Sequence, residues 1–398
     1  MKTRTIAAFA VVGVAAILSA VLLAKNTDFA VYWYGVHDYL QGTRPPYGPF
    51  SGHGHPQEFR YPPVTMLFFL PLTLLPIRVA GAIWIVFAWT ACAWAAAVAI
   101  TRWRLRLNAT GLLLGLVVLG QFIVLFVKFG NVQPYLISLV LLSLLCSEDH
   151  PGWSGLALAV ATCFKVWPLF FVPWFFFRQR RRALYYAVAA SVVLWVAPIL
   201  YFGWTRYAWL MQEFYTHIAA LASNPESLWY SSQSLRGVFL RFLTHAAPSR
   251  DGYPDASFAS LSPVLVGGCC FVLSVAVYCW AVVQTWRARK VSRFLWDANA
   301  FVFFSALQPF AMNSGLISLF PAVLAAMHVY SSPPGSYPKA ARRAFLITCL
   351  LSAIATCTFW RPLQRWALML GIDFWIMLAL GATLAIAALG RAARETTG

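Results

Sequence analysis

An all-α integral membrane protein, a polytopic bundle of about twelve transmembrane helices, is the architecture to expect. Hydrophobic residues make up 61% of the 398-residue chain and charged residues only 11%, which leaves too little polar surface for a soluble domain. The apolar residues run in stretches long enough to cross a hydrocarbon layer of about 30 Å as helices. The 30 Lys and Arg residues fall in short clusters between those stretches, as topology determinants do. The net charge of +18 therefore carries no argument for nucleic acid, since no basic stripe or stacking platform accompanies it.

The first apolar run, Thr5 to Ala24, follows Met1-Lys2-Thr3-Arg4. It is long for the core of a signal peptide and ends in Ala24-Lys25-Asn26 without a small-x-small cleavage site, so an uncleaved signal anchor is expected. Further crossings are expected near 80–101, 109–128, 132–147, 153–165, 166–177, 183–203, 260–284, 295–311, 315–331, 344–360 and 373–390. Segment 62–76 has prolines at both ends and too few apolar residues to cross, and is expected to dip into the membrane. Lys165 and Pro168 divide 153–165 from 166–177. The alternative parity has 62–76 crossing and 153–177 as one helix; the preferred one puts Arg102, Arg104 and Arg106 in the cytoplasm.

Under the preferred parity the cytoplasmic segments hold Lys2 and Arg4, the three arginines of 102–106, four of 178–182, then Arg287, Arg289, Lys290 and Arg293, then Lys339, Arg342 and Arg343, then Arg391 and Arg394. These are eighteen of the 30 basic residues, a bias that places both termini inside. The chain then reads as one transmembrane domain over 1–398, with a first outer loop at 25–62 and a second at 204–259. Within the second, Leu235 to Leu243 has the pattern of a short amphipathic helix at the interface. The turns at 130–133 and 313–314 face the same outer side. The eight cysteines lie in or at the ends of apolar segments without CxxC or Cys/His spacing, and read as small core hydrophobes.

The first outer loop holds three of the twelve acidic residues, Asp28, Asp38 and Glu58. Asp28 alone reads as a solvated loop charge. With Phe29, Tyr32, Trp33 and Tyr34 following it, and Tyr47, Phe59 and Tyr61-Pro62-Pro63 closing the loop, it reads instead as a general base in a partly dry cavity. Lys165 sits in an otherwise apolar run, where an ionisable residue is functional by default unless its stem snorkels to the interface. It stands beside Val166-Trp167-Pro168, where the helix should break and its ammonium could meet a phosphate. Gly130-Asn131-Val132-Gln133 and Ser232-Gln233-Ser234-Leu235-Arg236 are polar turns, explained equally by capping or by ligand contact. Arg236 adds a cation able to grip a phosphate in a fork. His53 and His55 have a metal-like spacing, but no third ligand accompanies them, and a loop without metal is expected.

Several of these stretches together resemble glycosyltransferase family 87. They are Asp28-Phe29 with Tyr32 to Tyr34, Gly42 to Tyr47, Phe59-x-Tyr61-Pro62-Pro63, Leu70-Pro71-Leu72 to Leu75-Pro76, Lys165-x-Trp167-Pro168 and Gln233-Ser234-Leu235, in order over about 28–321. The chain departs from the family pattern at Ser232, where Asn often precedes Gln-Ser. It departs again at Ala311-Met312-Asn313-Ser314-Gly315, where a Ser-Trp-x-His-His run often stands.

The resemblance implies a C-type glycosyltransferase fold in a bacterial inner membrane, with an extracytoplasmic active site. It implies a polyprenyl-phosphate sugar donor, most often mannose, a lipid or glycan acceptor and no cofactor. It gives the role of base to Asp28 and lines the donor cavity with Lys165, Gln233 and Ser234. Arg60 and Arg236 are the further candidate cations, and Tyr61, Asn131, Gln133 and Asn313 the remaining substrate contacts. A polyprenyl phosphate is already a good leaving group, so one base and a few cations suffice. The rivals are a transporter or flippase, which should show inverted repeats that this sequence does not display, and a lipid-binding relative without catalysis.

Overall fold

Backbone groups inside a bilayer have no water to bond to and must satisfy one another, which is why the apolar runs fold as helices. The computed structural model describes residues 27–48, 53, 58–222, 232–245, 253–287, 293–308, 311–356 and 361–397. The expected signal anchor lies outside them. Among the described residues the elements are all helical, and an isolated antiparallel bridge joins Ser232 to Met312.

The chain divides into two units. The first, Met1–Val98 with Val124–Asn224, begins with α1 (Thr27–Leu40), a 3-10 turn (Pro63–Thr65) and α2 (Met66–Thr73). It takes most of α3 (Ile77–Arg102) and the end of α4 (Ala109–Phe129). Next come α5 (Gln133–Cys146), α6 (Pro151–Phe164), a 3-10 turn (Trp167–Phe171), α7 (Val172–Phe177), α8 (Arg181–Phe202) and α9 (Trp204–Ala222). The second, Ala99–Ile123 with Pro225–Gly398, contains α10 (Leu235–Leu243), α11 (Pro263–Arg287) and α12 (Arg293–Leu307). A 3-10 stretch (Asn313–Leu319) then leads into α13 (Phe320–Ser331), α14 (Lys339–Ala355), α15 (Arg361–Met369) and α16 (Ile372–Thr397).

Six helical stretches among the described residues are long and apolar enough to cross a membrane: Ile77–Arg102, Ala109–Phe129, Arg181–Phe202, Pro263–Arg287, Asn313–Ser331 and Ile372–Ala393. Four shorter apolar ones, Pro63–Thr73, Gln133–Cys146, Pro151–Phe164 and Trp167–Phe177, accompany them. Fourteen residues, the length of α5 and of α6, reach about 21 Å at 1.5 Å per residue, less than the hydrocarbon layer. Val188, Val192, Val193 and Leu200 of α8, and Val264, Leu265, Phe271 and Val272 of α11, are exposed. Contiguous apolar surface of this kind suits lipid and is a liability in water, so the protein is a membrane protein.

Local signals read from the sequence recur at their expected places. The amphipathic helix at Leu235–Leu243 is α10. The break at Lys165 is present: the residue caps α6 in an extended conformation (φ −145°, ψ 144°), and Pro168 follows inside the 3-10 turn. The two segments expected as outer loops are more ordered than the word loop implies, since α1 occupies 27–40 and α9 occupies 204–222. Their signal was available. Phe29, Tyr32, Trp33 and Val36 are buried at the i, i+3, i+4, i+7 spacing of one helix face, and Tyr207 and Leu210 begin a similar row in α9.

In the first unit α6 and α8 approach closely at Gly155. A Cβ there would lie 2.6 Å from the Ala183 carbonyl oxygen and 2.6 Å from the Ala187 nitrogen, and backbone cannot swing aside as a side chain can. Gly155→Ala is therefore expected to destabilise the protein by about 1–3 kcal/mol through overpacking, measured as recovery of monodisperse protein after heating in detergent. Unchanged heat resistance would show that the helices separate without cost.

Candidate functional site

The site assembles around α1. Asp28 stands in its first turn, where the positive end of the helix dipole favours a carboxylate. Trp33 fixes the helix from the side: its indole nitrogen donates to the carbonyls of Leu72 (3.1 Å) and Leu75 (3.2 Å) at the end of α2. One turn from Asp28, the Tyr32 hydroxyl bonds the Tyr61 hydroxyl at 3.1 Å, and the two rings meet edge to face at 5.1 Å. Tyr47 donates to the Tyr61 carbonyl at 2.9 Å. The segment around Tyr61 is thus held against α1 by aromatic packing and hydroxyl bonds together.

The turn before α5 forms a second wall. Trp84 of α3 donates to the Gly130 carbonyl at 2.9 Å, and Gly130 takes φ +68°, a conformation glycine adopts without strain. Asn131 accepts from the Gln133 backbone nitrogen at 3.1 Å, so its carbonyl satisfies a donor that the start of a helix leaves open. Gln133 is buried and its Oε1 accepts from Lys165 Nζ, a long contact at 3.4 Å. Lys165 is half-buried and points from the α6 break toward this wall.

Asp28 is electrostatically coupled to Lys165 and to Arg60. Its Oδ1 is buried and has no hydrogen-bond partner among the described residues. Among the described residues, α1 is not one of the helices long and apolar enough to cross a membrane. Burial pushes the Asp28 carboxyl from 3.8 up to about 6, against the opposing pull of Lys165 and then of Arg60. Such a group is mostly ionised at neutral pH yet basic enough to take a proton. Burial also pushes the Tyr32 and Tyr61 phenols up, which keeps both hydroxyls protonated.

Of the residues expected from the sequence, Asp28, Arg60, Tyr61, Asn131, Gln133 and Lys165 belong to this first unit. Gln233, Ser234, Arg236 and Asn313 belong to the second. There, Gln233 is buried; its backbone nitrogen donates to Ala311 O at 2.7 Å and its amide to Leu368 O at 3.0 Å. Ser234 caps α10, its hydroxyl accepting from Gly237 N at 3.1 Å. Asn313 opens the 3-10 stretch. Ser234 thus acts as a helix cap, while the Gln233 amide makes a tertiary bond to a residue 135 positions away.

Sequence reasoning passed over three features. In the sequence Tyr32 is one aromatic among several, and only its bond to Tyr61 makes it part of the site. Asp38 is bracketed by two histidines: His37 Nδ1 lies 3.1 Å from one oxygen, and His53 pairs with the other. Those imidazoles stack on Trp33 (4.2 Å) and Tyr34 (4.0 Å). His53, weighed as a metal ligand, is thus engaged with a carboxylate, while His55 lies outside the described residues. Among the described residues no group of three His, Cys, Asp or Glu side chains is arranged to hold a metal ion. Finally, His217 of α9 lies 3.2 Å from Glu58. These pairs join residues 15 and 159 positions apart, or sit within one helix turn, and no local motif announces them.

A family model described as glycosyltransferase family 87 matches residues 59–309. That range includes Arg60, Tyr61, Asn131, Gln133 and Lys165, and begins after Asp28. No curated protein and no solved structure matches the chain.

Proposed function

The chain belongs to glycosyltransferase family 87, and we propose that it moves a hexose, mannose in our reading, from a polyprenyl-phosphate donor to an extracytoplasmic lipid or glycan acceptor with inversion. Family membership makes it a membrane glycosyltransferase; donor, sugar and residue roles are our reading. The observation that carries it is the Asp28 carboxylate, with one oxygen buried and unpartnered among the described residues and two cations in electrostatic reach.

In this mechanism the acceptor hydroxyl gives its proton to Asp28 as its oxygen attacks the anomeric carbon. The bond from that carbon to the donor phosphate breaks on the opposite face, and the phosphate leaves with the electron pair. Lys165 and Arg60 stabilise the charge it gathers. The Tyr32–Tyr61 hydroxyl pair and the Asn131–Gln133 turn hold the surrounding walls, and Gln133 orients the Lys165 ammonium.

The sign of the pH dependence follows from the base. Asp28 is active only when deprotonated, so the transfer rate is expected to be level above about 6 and to fall about tenfold for each pH unit below it. The pH profile of kcat/KM with a lipid-linked sugar checks this. A profile unchanged down to pH 4.5 would take the role of base away from Asp28.

We also propose the orientation, with Asp28 and α9 outside and the basic clusters at 178–182 and 287–293 in the cytoplasm, supported by the distribution of Lys and Arg. A single cysteine at position 180 in a cysteine-free background should be refractory to an impermeant thiol reagent added from outside, and one at position 41 should react. Labelling of position 180 from outside reverses the orientation and with it the side of the site.

A further inference from the structure

Within the second unit, α11, α12 and α16 enclose an elongated cavity of about 360 Å³. Trp280 of α11, Phe303 of α12 and Leu378 of α16 stand in its walls, and Leu235 and Phe239 of α10 close one end. Along α16 the lining runs from Phe374 to Ala385, about 17 Å at 1.5 Å per residue, so the cavity is a slot parallel to a helix. Trp280 and Leu378 are exposed, so the slot opens sideways onto the apolar outer face. Asn299, the polar residue in its lining, turns its amide nitrogen into the wall and donates to Gly381 O at 3.3 Å.

A cation stands beside this slot. Arg236 precedes Phe239 by three positions on α10, so the two share a side of that helix. It is half-buried, and no carboxylate pairs with it among the described residues. Its Nε would lie 3.7 Å from a methyl placed at Gly267, and it acts electrostatically on Cys270, one turn along α11 from Leu273 of the slot. A half-buried guanidinium at this place can receive a phosphate through two parallel hydrogen bonds.

We propose that the second unit holds an anionic phospholipid, with one acyl chain in the α11–α12–α16 slot and its phosphate on Arg236. The length of the slot along α16, about 17 Å, suits one acyl chain. A polyprenyl chain, many times longer, would leave most of its length outside. The excess positive charge of Arg236 favours an anionic headgroup over one whose phosphate is already balanced by choline. This lipid site stands independently of the transfer chemistry proposed for the first unit.

The test is native mass spectrometry of the full chain reconstituted with phosphatidylglycerol or phosphatidylcholine, then stripped by increasing detergent. Wild type is expected to retain one phosphatidylglycerol and to lose phosphatidylcholine readily. Arg236→Gln should weaken phosphatidylglycerol retention at least tenfold, and Arg236→Lys, which keeps the charge and loses the fork, should restore part of it. Ala382→Trp, placed on the exposed lining of α16 to fill the slot from its open side, should weaken retention of both lipids. Size-exclusion profiles report folding, and if Arg236→Gln is not monodisperse, Arg236→Lys and Ala382→Trp carry the comparison. Equal retention of the two lipids by wild type overturns the proposal. So does unchanged phosphatidylglycerol binding in Ala382→Trp, or stoichiometric displacement of phosphatidylglycerol by a polyprenyl phosphate, which would assign the slot to a different lipid.

Discussion

Asp28→Asn is expected to remove transfer activity while leaving the protein folded. A positioned general base contributes about 10² to 10⁴ in rate, and asparagine keeps the shape of aspartate without its proton affinity. The expected effect on stability has the opposite sign from the usual loss of a buried charge. The folded-state pKa of Asp28 is raised to about 6 from 3.8, so the folded protein binds this proton more tightly than the unfolded chain. The charged carboxylate therefore opposes folding increasingly as pH rises through that interval, and fully above about 6. Asparagine has no charge to desolvate, so the variant should match or exceed wild type in thermal stability at pH 7.5. Near pH 4 the difference should vanish. Turnover with a lipid-linked sugar and melting at the two pH values read both effects. Near wild-type turnover in Asp28→Asn would mean that another group is the base, and Glu58, paired with His217, is then the next carboxylate of the first unit to test.

Lys165→Met carries the second large effect. A charge-assisted contact to a phosphate is worth about 1.5 to 3 kcal/mol, so its loss should weaken binding of a polyprenyl phosphate by at least about tenfold. Methionine preserves the apolar stem and removes only the ammonium. The fold tolerates this, since the contact to Gln133 is long at 3.4 Å and the break in α6 is set by backbone and Pro168. Lys165→Arg retains charge and should keep most of the affinity. Binding to protein in nanodiscs distinguishes this from a lysine whose head only reaches for water: equal affinity in Lys165→Met and wild type would leave Arg60, the other cation acting on Asp28, to hold the phosphate.

How much of this was legible in the sequence depends on the range of the physics involved. Features set within a few residues were readable. The membrane class follows from apolar runs and their basic flanks. The extent of α10 follows from its amphipathic period, and the α6 break from Lys165 followed by Pro168. The aromatic helix α1 was readable too, since Phe29, Tyr32, Trp33 and Val36 share a face, but its polar and aromatic composition resembles that of an interfacial loop. The Trp33–His37 stack at 4.2 Å is the i, i+4 contact that supports it as a helix.

The site itself required packing. Tyr32 meets Tyr61 across 29 positions, Lys165 meets Gln133 across 32 and Trp84 meets Gly130 across 46. No periodicity records such distances, because each depends on where separate helices come to rest against one another. The raised proton affinity of Asp28 has the same origin. The residue type supplies a carboxylate, and composition places it near a membrane. How poorly that carboxylate is solvated, and which cations it feels, is a property of the assembled walls around it, since desolvation and Coulomb interaction both depend on three-dimensional distance and not on position in the chain.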